Sequence, residues 1–325
     1  MAANDLTEVL RALRSEGPFL IASHTSPDGD SLGSSLALAM MLRARGARCV
    51  VVAVGGVPEP YGFLPGAGAV VVGYPADWTG ALVVLDTPEV GRTGVPPSIV
   101  ASARPIVNID HHPGNTRFGD ASLVDYTASA TALLVHEVLA ADGYVPAADG
   151  ATLLYAGILA DTGGFRFSNT DARTLAAAAR LVELGAEPAR ISEAVYGRMP
   201  LSRMKLLGLV LSSARTLLDG RLAVLVITEA MKAAAGTDGE DIEELASYGR
   251  LLEGVDVAVL LREEGARVRA SLRSVRGADV GRIAAGLGGG GHGAAAGAVL
   301  DGPLGEATRR IALAVSDTLG SRERA

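Results

Sequence analysis

One cysteine in 325 residues, Cys49, excludes an internal disulfide and suits a reducing compartment. It lies in the apolar run Cys49–Val54 and reads as a buried bystander. Aromatic residues are only 4% of the chain, with a single tryptophan. No apolar run approaches the ~18 residues that a membrane-spanning helix needs. The nearest, Leu32–Leu42, is too short and follows a charged turn. The stretch Met1–Arg14 mixes Asp5, Glu8 and Arg11 and is not a signal peptide, so a cytoplasmic location is expected. Positive charge is also in deficit. A net charge of −7 argues against tracking along long nucleic acid through many phosphate contacts.

The length points to two domains, and a hydrophobic content of 49%, rich in Gly, Ala and Val, favours an α/β architecture. Residues 1–254 carry 19 basic and 28 acidic side chains, whereas residues 255–325 carry 10 and 8. An acidic front part suits cation binding, and the mildly basic tail suits an anion. Pro18–Ser23, Cys49–Val54, Ala81–Leu85 and Pro105–Ile109 are continuous apolar runs, as in strands of a parallel sheet covered by helices on both faces. Leu32, Leu36 and Met40 recur every four residues and predict a helix that ends near Gly46. Further helices are expected over 128–142, 147–160, 171–185 and 200–215. A domain covering 1–190 would then pass through a mostly helical connector, 191–218, to a smaller α/β domain, 219–325. In the latter, strands are expected near 221–228, 256–262 and 267–274, followed by a helix over 279–286, a glycine run and a closing helix over 304–319.

Three of the strands run into the same chemistry. The first leads into His24 and the loop "HTSPDGDS", with Asp28 and Asp30; the third ends at Asp86; the fourth ends at Asp110, His111 and His112. Ligands of open parallel sheets collect at the carboxyl ends of strands, so these loops are expected to converge. Asp161, after the apolar run Ala151–Ala160, adds a fourth acid. Each piece has a plainer reading: "PDGD" as a turn with Asp30 as a helix N-cap, Asp86 as a strand end, the histidine pair as loop residues. Three strand-end placements together favour a metal site. Imidazole nitrogen and carboxylate oxygen suit Mn²⁺, with Mg²⁺, Co²⁺ or Zn²⁺ also compatible, and the set is large enough for two ions. Such a pair can hold a bridging hydroxide and clamp the attacking and leaving oxygens of a phosphoryl group. His136, inside a helical run without neighbouring acids, reads as structural.

The motifs "SHTSPDGDSLGSS", "VVLDTPEVGR", "NIDHHPGN" and "GILADTGGFRFSNT" resemble those of the DHH phosphoesterase superfamily, and "LGGGGHGAAAG" resembles the glycine-rich motif of its associated C-terminal domain. The resemblance spans nearly the whole chain and is nearest to the short branch of oligoribonuclease/pAp-phosphatases and cyclic-dinucleotide phosphodiesterases. It implies one metal on His24, Asp28 and Asp86, and a second on Asp30, Asp86, His111 and Asp161. His112 would face the scissile phosphate, with Asp110 orienting a histidine. Arg273, in "SLRS", matches the family's substrate-contacting arginine. Gly289, Gly290 and Gly291 would cradle a phosphate, with His292 as a further donor, although a glycine run is more often a linker.

Arg92 and Arg166 are secondary substrate candidates, and Phe165 and Phe167 read as packing residues rather than base-stacking ones. The expected activity is metal-dependent hydrolysis of phosphate esters in short oligonucleotides or pAp. A cyclic di-AMP phosphodiesterase, a pyrophosphatase or polyphosphatase, and a non-catalytic nucleotide sensor are the alternatives. Small nucleotides are the expected partners, without long nucleic acid or membrane. A homodimer is compatible with the sequence, which does not set the oligomeric state.

Overall fold

The computed structural model describes residues 3–197, 199–237 and 243–322. The chain divides into two compact units, Met1–Arg198 and Met199–Ala325. In the first, α1 (Ala3–Ala12), β1 (Phe19–Ala22), α2 (Gly29–Ala44), β2 (Cys49–Val52), β3 (Ala81–Leu85), α3 (Pro97–Ser102), β4 (Ile106–Asp110) and β5 (Ala121–Val124) precede four helices. These are α4 (Thr131–Ala141), α5 (Ala148–Asp161), α6 (Ala172–Glu183) and α7 (Pro188–Tyr196). All neighbouring strands pair parallel, in the order β2-β1-β3-β4-β5.

The period-2 alternation of a strand divides its side chains between two cores. Phe19, Ile21, Val83, Leu85, Val107 and Ile109 face the core shared with α2, α4 and α5. Leu20, Ala22, Leu82 and Val84 face a smaller core capped by Ile99 of α3 and by Trp78. Burial on both faces is why these strands are apolar without interruption. Helix α2 is buried almost all round, between the sheet and α5. A Cβ at Gly157 would lie 2.6 Å from the Ala132 Cβ and 3.0 Å from Asp30 Oδ1, so this glycine lets α2, α4 and α5 meet beside the carboxylate of Asp30.

In the second unit, α8 (Leu201–Ser212) leads to β6 (Arg215–Leu217), β7 (Leu222–Ile227), α9 (Glu229–Ala235), β8 (Val257–Glu264) and β9 (Arg267–Ser274). Then come α10 (Val280–Gly286), β10 (Gly290–Gly291), β11 (Ala295–Asp301) and α11 (Leu304–Arg322). The sheet order is β10-β11-β9-β8-β7-β6, antiparallel except for the β7/β8 pair. Ala307, Ile311, Val315 and Leu319, spaced every four residues along α11, share one core with β7, β8 and β9. The helical stretch expected over 191–218 is divided, with α7 in the first unit and α8 and β6 in the second. Among the described residues, no helix is long and apolar enough to cross a membrane.

Candidate metal centre

In the order β2-β1-β3, the chain runs from β1 to β2 on one side and crosses back to β3 on the other, and such a switch point leaves a crevice at the carboxyl ends of β1 and β3. His24 and Asp28 follow β1, Asp86 follows β3, and Asp110 closes β4 ahead of His111 and His112. Asp28, rather than Asp30, is the N-cap of α2. Its Oδ1 accepts from the Ser31 N–H (2.9 Å), and the Ser31 Oγ accepts from the Asp28 N–H (2.8 Å). The other oxygen of Asp28 stands 3.7 Å from His24 Nε2. Asp30 is fully buried and accepts from the N–H groups of Thr131 (2.6 Å) and Ala132 (2.7 Å). It thereby caps α4, whose own N-cap residue, Ala130, has no side-chain acceptor.

Asp86 occupies the left-handed region at φ 58°, where its N–H donates to Ile109 O (3.0 Å). Its Oδ2 lies 3.3 Å from His24 Nε2, and its Oδ1 lies 3.6 Å from His111 Nε2 and accepts from Thr131 Oγ1 (3.0 Å). The Nε2 of His111 also lies 3.2 Å from Asp161 and 4.0 Å from Asp30. Its Nδ1 faces Ala128 O at 3.2 Å, which places the ring proton there and leaves Nε2 as a lone-pair donor. Among the described residues, three groups bring ligand atoms within 4.8 Å of one another: His24–Asp28–Asp86, Asp30–His111–Asp161 and Asp86–His111–His112. All are in this crevice, and Asp86 belongs to two of them.

The electrostatics show what the cluster would gain from a cation. Burial, and then the charge of Asp86, pushes Asp28 up and Asp30 well above the ordinary carboxylate range. Burial, followed by Asp86 and Asp28, lifts Asp161 to about 8. Burial opposes ionisation of Asp86 as well, but the three histidines outweigh it and hold its pKa down. Burial also disfavours charge on His24, and here the hydrogen bond to Asp86 and the charge of Asp28 win, so its pKa rises. Four clustered carboxylates repel one another, and divalent cations would relieve that repulsion more completely than protons. Oxygen and imidazole donors without sulfur fit Mn²⁺, Mg²⁺ or Co²⁺. The residues therefore fit divalent metal.

His112 is set differently. Its Nδ1 bonds Asp110 Oδ1 at 2.7 Å, which raises its pKa, and the side chain is 35% exposed toward the crevice. The other oxygen of Asp110, a fully buried residue, accepts from Asn115 Nδ2 (2.6 Å). Asn115 also donates to Asn108 Oδ1 (2.9 Å), and Asn108 donates to Val84 O (3.2 Å). Asn108, Asn115 and Thr131 are supporting residues absent from the sequence-based candidates. The signal was a polar Asn inside the otherwise apolar strand Ile-Val-Asn-Ile. Arg92 is exposed on the turn after Asp86; its carbonyl accepts from the Thr25 N–H (3.0 Å), and its charge reaches His24.

The second unit orders the glycine run as an edge. Gly290–Gly291 pairs with β11, and Cβ atoms at Gly289 and Gly291 would lie 2.1 Å from Gly297 O and 2.5 Å from Ala296 Cα. The N–H groups of Gly288 and Gly289 close the end of α10 on Ala285 O and Ala284 O, and the His292 N–H donates to Ala295 O. The Gly290–Gly291 edge is exposed, and Arg273 Nη1 donates to Leu272 O (3.1 Å). Arg273 is the cross-strand partner of Ala295, which sets it beside the turn that carries His292. Arg269 is engaged by Glu264 (2.9 Å).

Fold and site together define a class: an α/β phosphoesterase with a histidine–carboxylate centre at the switch point of its sheet. The N-terminal domain of the DHH family matches residues 18–158, and the DHHA1 domain matches residues 219–319. The chain is 39% identical over 319 residues to the bifunctional oligoribonuclease and PAP phosphatase NrnA of Thermus thermophilus, covering 97% of this chain and 93% of that protein. The chain belongs to the DHH family. The crystal structure of an exopolyphosphatase-related protein from Bacteroides fragilis superposes with a TM-score of 0.90 at 25% identity, covering 97% and 96% of the two chains. The exonuclease RecJ bound to manganese shares the fold, with a TM-score of 0.53 at 16% identity and coverage of 96% and 94%.

Proposed function

We propose that this protein hydrolyses phosphate esters in short oligonucleotides and in pAp, using two divalent ions, with Mn²⁺ as the preferred metal. One observation carries the reading: the triads His24–Asp28–Asp86 and Asp30–His111–Asp161 adjoin, with Asp86 Oδ1 3.6 Å from His111 Nε2. His24, Asp28 and Asp86 would hold one ion, and Asp30, Asp86, His111 and Asp161 the other. When bound, the ions neutralise phosphoryl oxygens and acidify water.

The chain's own residues do the rest. Asp110 fixes the His112 ring and keeps its Nδ1 proton in place. The raised pKa of His112 favours the imidazolium, a donor suited to a phosphoryl or leaving oxygen. Arg273 and His292 contact substrate phosphate, Arg273 as a guanidinium fork. Arg92, beside His24, is a further phosphate contact. The close relative's name, oligoribonuclease and PAP phosphatase, supports this substrate class, and a cytoplasmic setting goes with it.

The test is a panel of pAp, a linear dinucleotide, cyclic di-AMP and pyrophosphate with Mn²⁺, products resolved by chromatography. Release of mononucleotide from the dinucleotide and of AMP from pAp is expected. Turnover of pyrophosphate alone would contradict the proposal.

A further inference from the structure

Beyond Asp161 the chain makes a loop whose backbone is held by its own side chains. Thr162 Oγ1 donates to Ile158 O (2.7 Å) and accepts from the Phe165 N–H (3.0 Å), while Arg166 Nε donates to Gly163 O (2.6 Å). Asn169 Nδ2 ties the far end back to Asp161 O (3.1 Å) and Ser129 O (3.0 Å). Gly163, Gly164 and Phe165 all have left-handed φ, at 57°, 71° and 63°. Glycine takes that region freely, but an aromatic residue there is strained, and strain of this kind collects at functional sites.

The strained turn sends two phenylalanines in different directions. Phe165 points inward, its ring centroid 5.7 Å from that of Tyr155. Phe167 points outward and is 51% exposed. Its ring is seated on Gly163, where a Cβ would fall 2.4–2.6 Å from three ring carbons. A second exposed ring is anchored alongside. Tyr196 of α7 is 43% exposed, and its hydroxyl donates to Leu159 O (3.0 Å). A Cβ at Gly164 would lie 3.7 Å from the Tyr196 ring and 4.0 Å from Arg166 Nε. Tyr61, packed against Gly29 beside Asp28, lies within electrostatic reach of both Tyr196 and Asp161. Lone exposed aromatics need no explanation. Here two rings and a guanidinium are held by hydrogen bonds and close packing on adjacent glycines of the loop that follows Asp161, a proposed metal ligand.

We propose that Phe167 and Tyr196, with Arg166 alongside, form a nucleobase-stacking site next to the metal centre. It would take the base of the nucleotide whose phosphate reacts. This rests on the phosphoesterase reading above and adds to it what the enzyme grips besides phosphate. Ring stacking and guanidinium stacking tolerate any base, so the site would confer preference for nucleotides over other phosphate esters without sequence selectivity.

The test compares a dinucleotide with its abasic counterpart, which keeps the ribose–phosphate backbone. The wild-type kcat/KM is expected to favour the base-bearing substrate by roughly tenfold, the scale of one base–aromatic stack. Phe167→Ala and Phe167→Leu should remove most of that preference through KM, leave the abasic substrate unaffected and retain the full metal content. Phe167→Tyr should restore the preference. Equal losses on both substrates, no loss on either, or a fall in metal content in Phe167→Ala would overturn the proposal. If the wild type turns over neither substrate, the phosphoesterase reading has failed, and a separate measurement decides the stacking site. Emission from Phe167→Trp, read against a parent whose single tryptophan is Trp78, should be quenched by AMP, and an unquenched signal would overturn the site.

Discussion

Asp86 joins three roles in one residue: a left-handed turn, a carboxylate that stands close to both His24 and His111, and an acceptor for Thr131. Asparagine tolerates the same backbone region and keeps the shape. Asp86→Asn should therefore fold normally yet lose both metals and more than ~100-fold in activity, beyond the ~10–100-fold typical of supporting residues. Near-normal metal content by elemental analysis would refute its role. The pKa of Asp161 sets the direction of a second effect. Raised to about 8, its carboxyl is mostly protonated at pH 7 without metal, whereas ligation needs the carboxylate. Metal binding at pH 7 should then release protons, and affinity should rise as pH climbs toward 8. Calorimetry in two buffers of different ionisation enthalpy should give different heats, with the difference reduced in Asp161→Asn. At this scale the candidate ligands were legible because acids and histidines stood at strand ends. Asn108 and Asn115 were not, because an amide announces its purpose only once its partner, Asp110, is beside it.

At the scale of elements, one carboxylate can serve two helices. Asp30 lies in the first turn of α2 but caps α4, a contact between residues a hundred positions apart that no local pattern reveals. Asp30→Ala would leave two buried N–H groups without acceptors. In the metal-free protein it should cost about 2–4 kcal/mol, against about 1 kcal/mol for the exposed-side cap lost in Asp28→Ala. Urea unfolding of both variants would measure this, and equal losses would contradict it.

The glycine run gives a second element-level test. Gly289→Ala would press a methyl group against Gly297 O, whereas a Cβ at Gly290 meets nothing within 4 Å. Gly289→Ala should destabilise the second unit by about 1–3 kcal/mol, and Gly290→Ala should change little. A flexible linker would tolerate both. The parallel strands were readable because burial on two faces leaves an uninterrupted apolar run. The strands β5, β10 and β11 were not, since short stretches of Ala, Gly and Ser owe their pairing to neighbours rather than to propensity.

At the scale of the whole molecule, the acidic front part and the mildly basic tail suit the proposed division between metal-binding and anion-binding chemistry. That division makes Arg273 separable from the metals. Arg273→Ala should leave metal content intact and lower kcat/KM for pAp roughly ten- to a hundred-fold, the worth of a charge-assisted hydrogen bond. Activity on bis(p-nitrophenyl) phosphate, which has a single phosphate, should fall much less, and equal losses would assign Arg273 a structural role. The central claim is that hydrolysis belongs to the metals gathered around Asp86. The most direct measurement is turnover of pAp by protein stripped of metal, with the metal content verified by elemental analysis, and then titrated with Mn²⁺. No turnover in the stripped protein and full recovery as two ions bind per chain is the predicted result. Undiminished turnover after verified removal would contradict it.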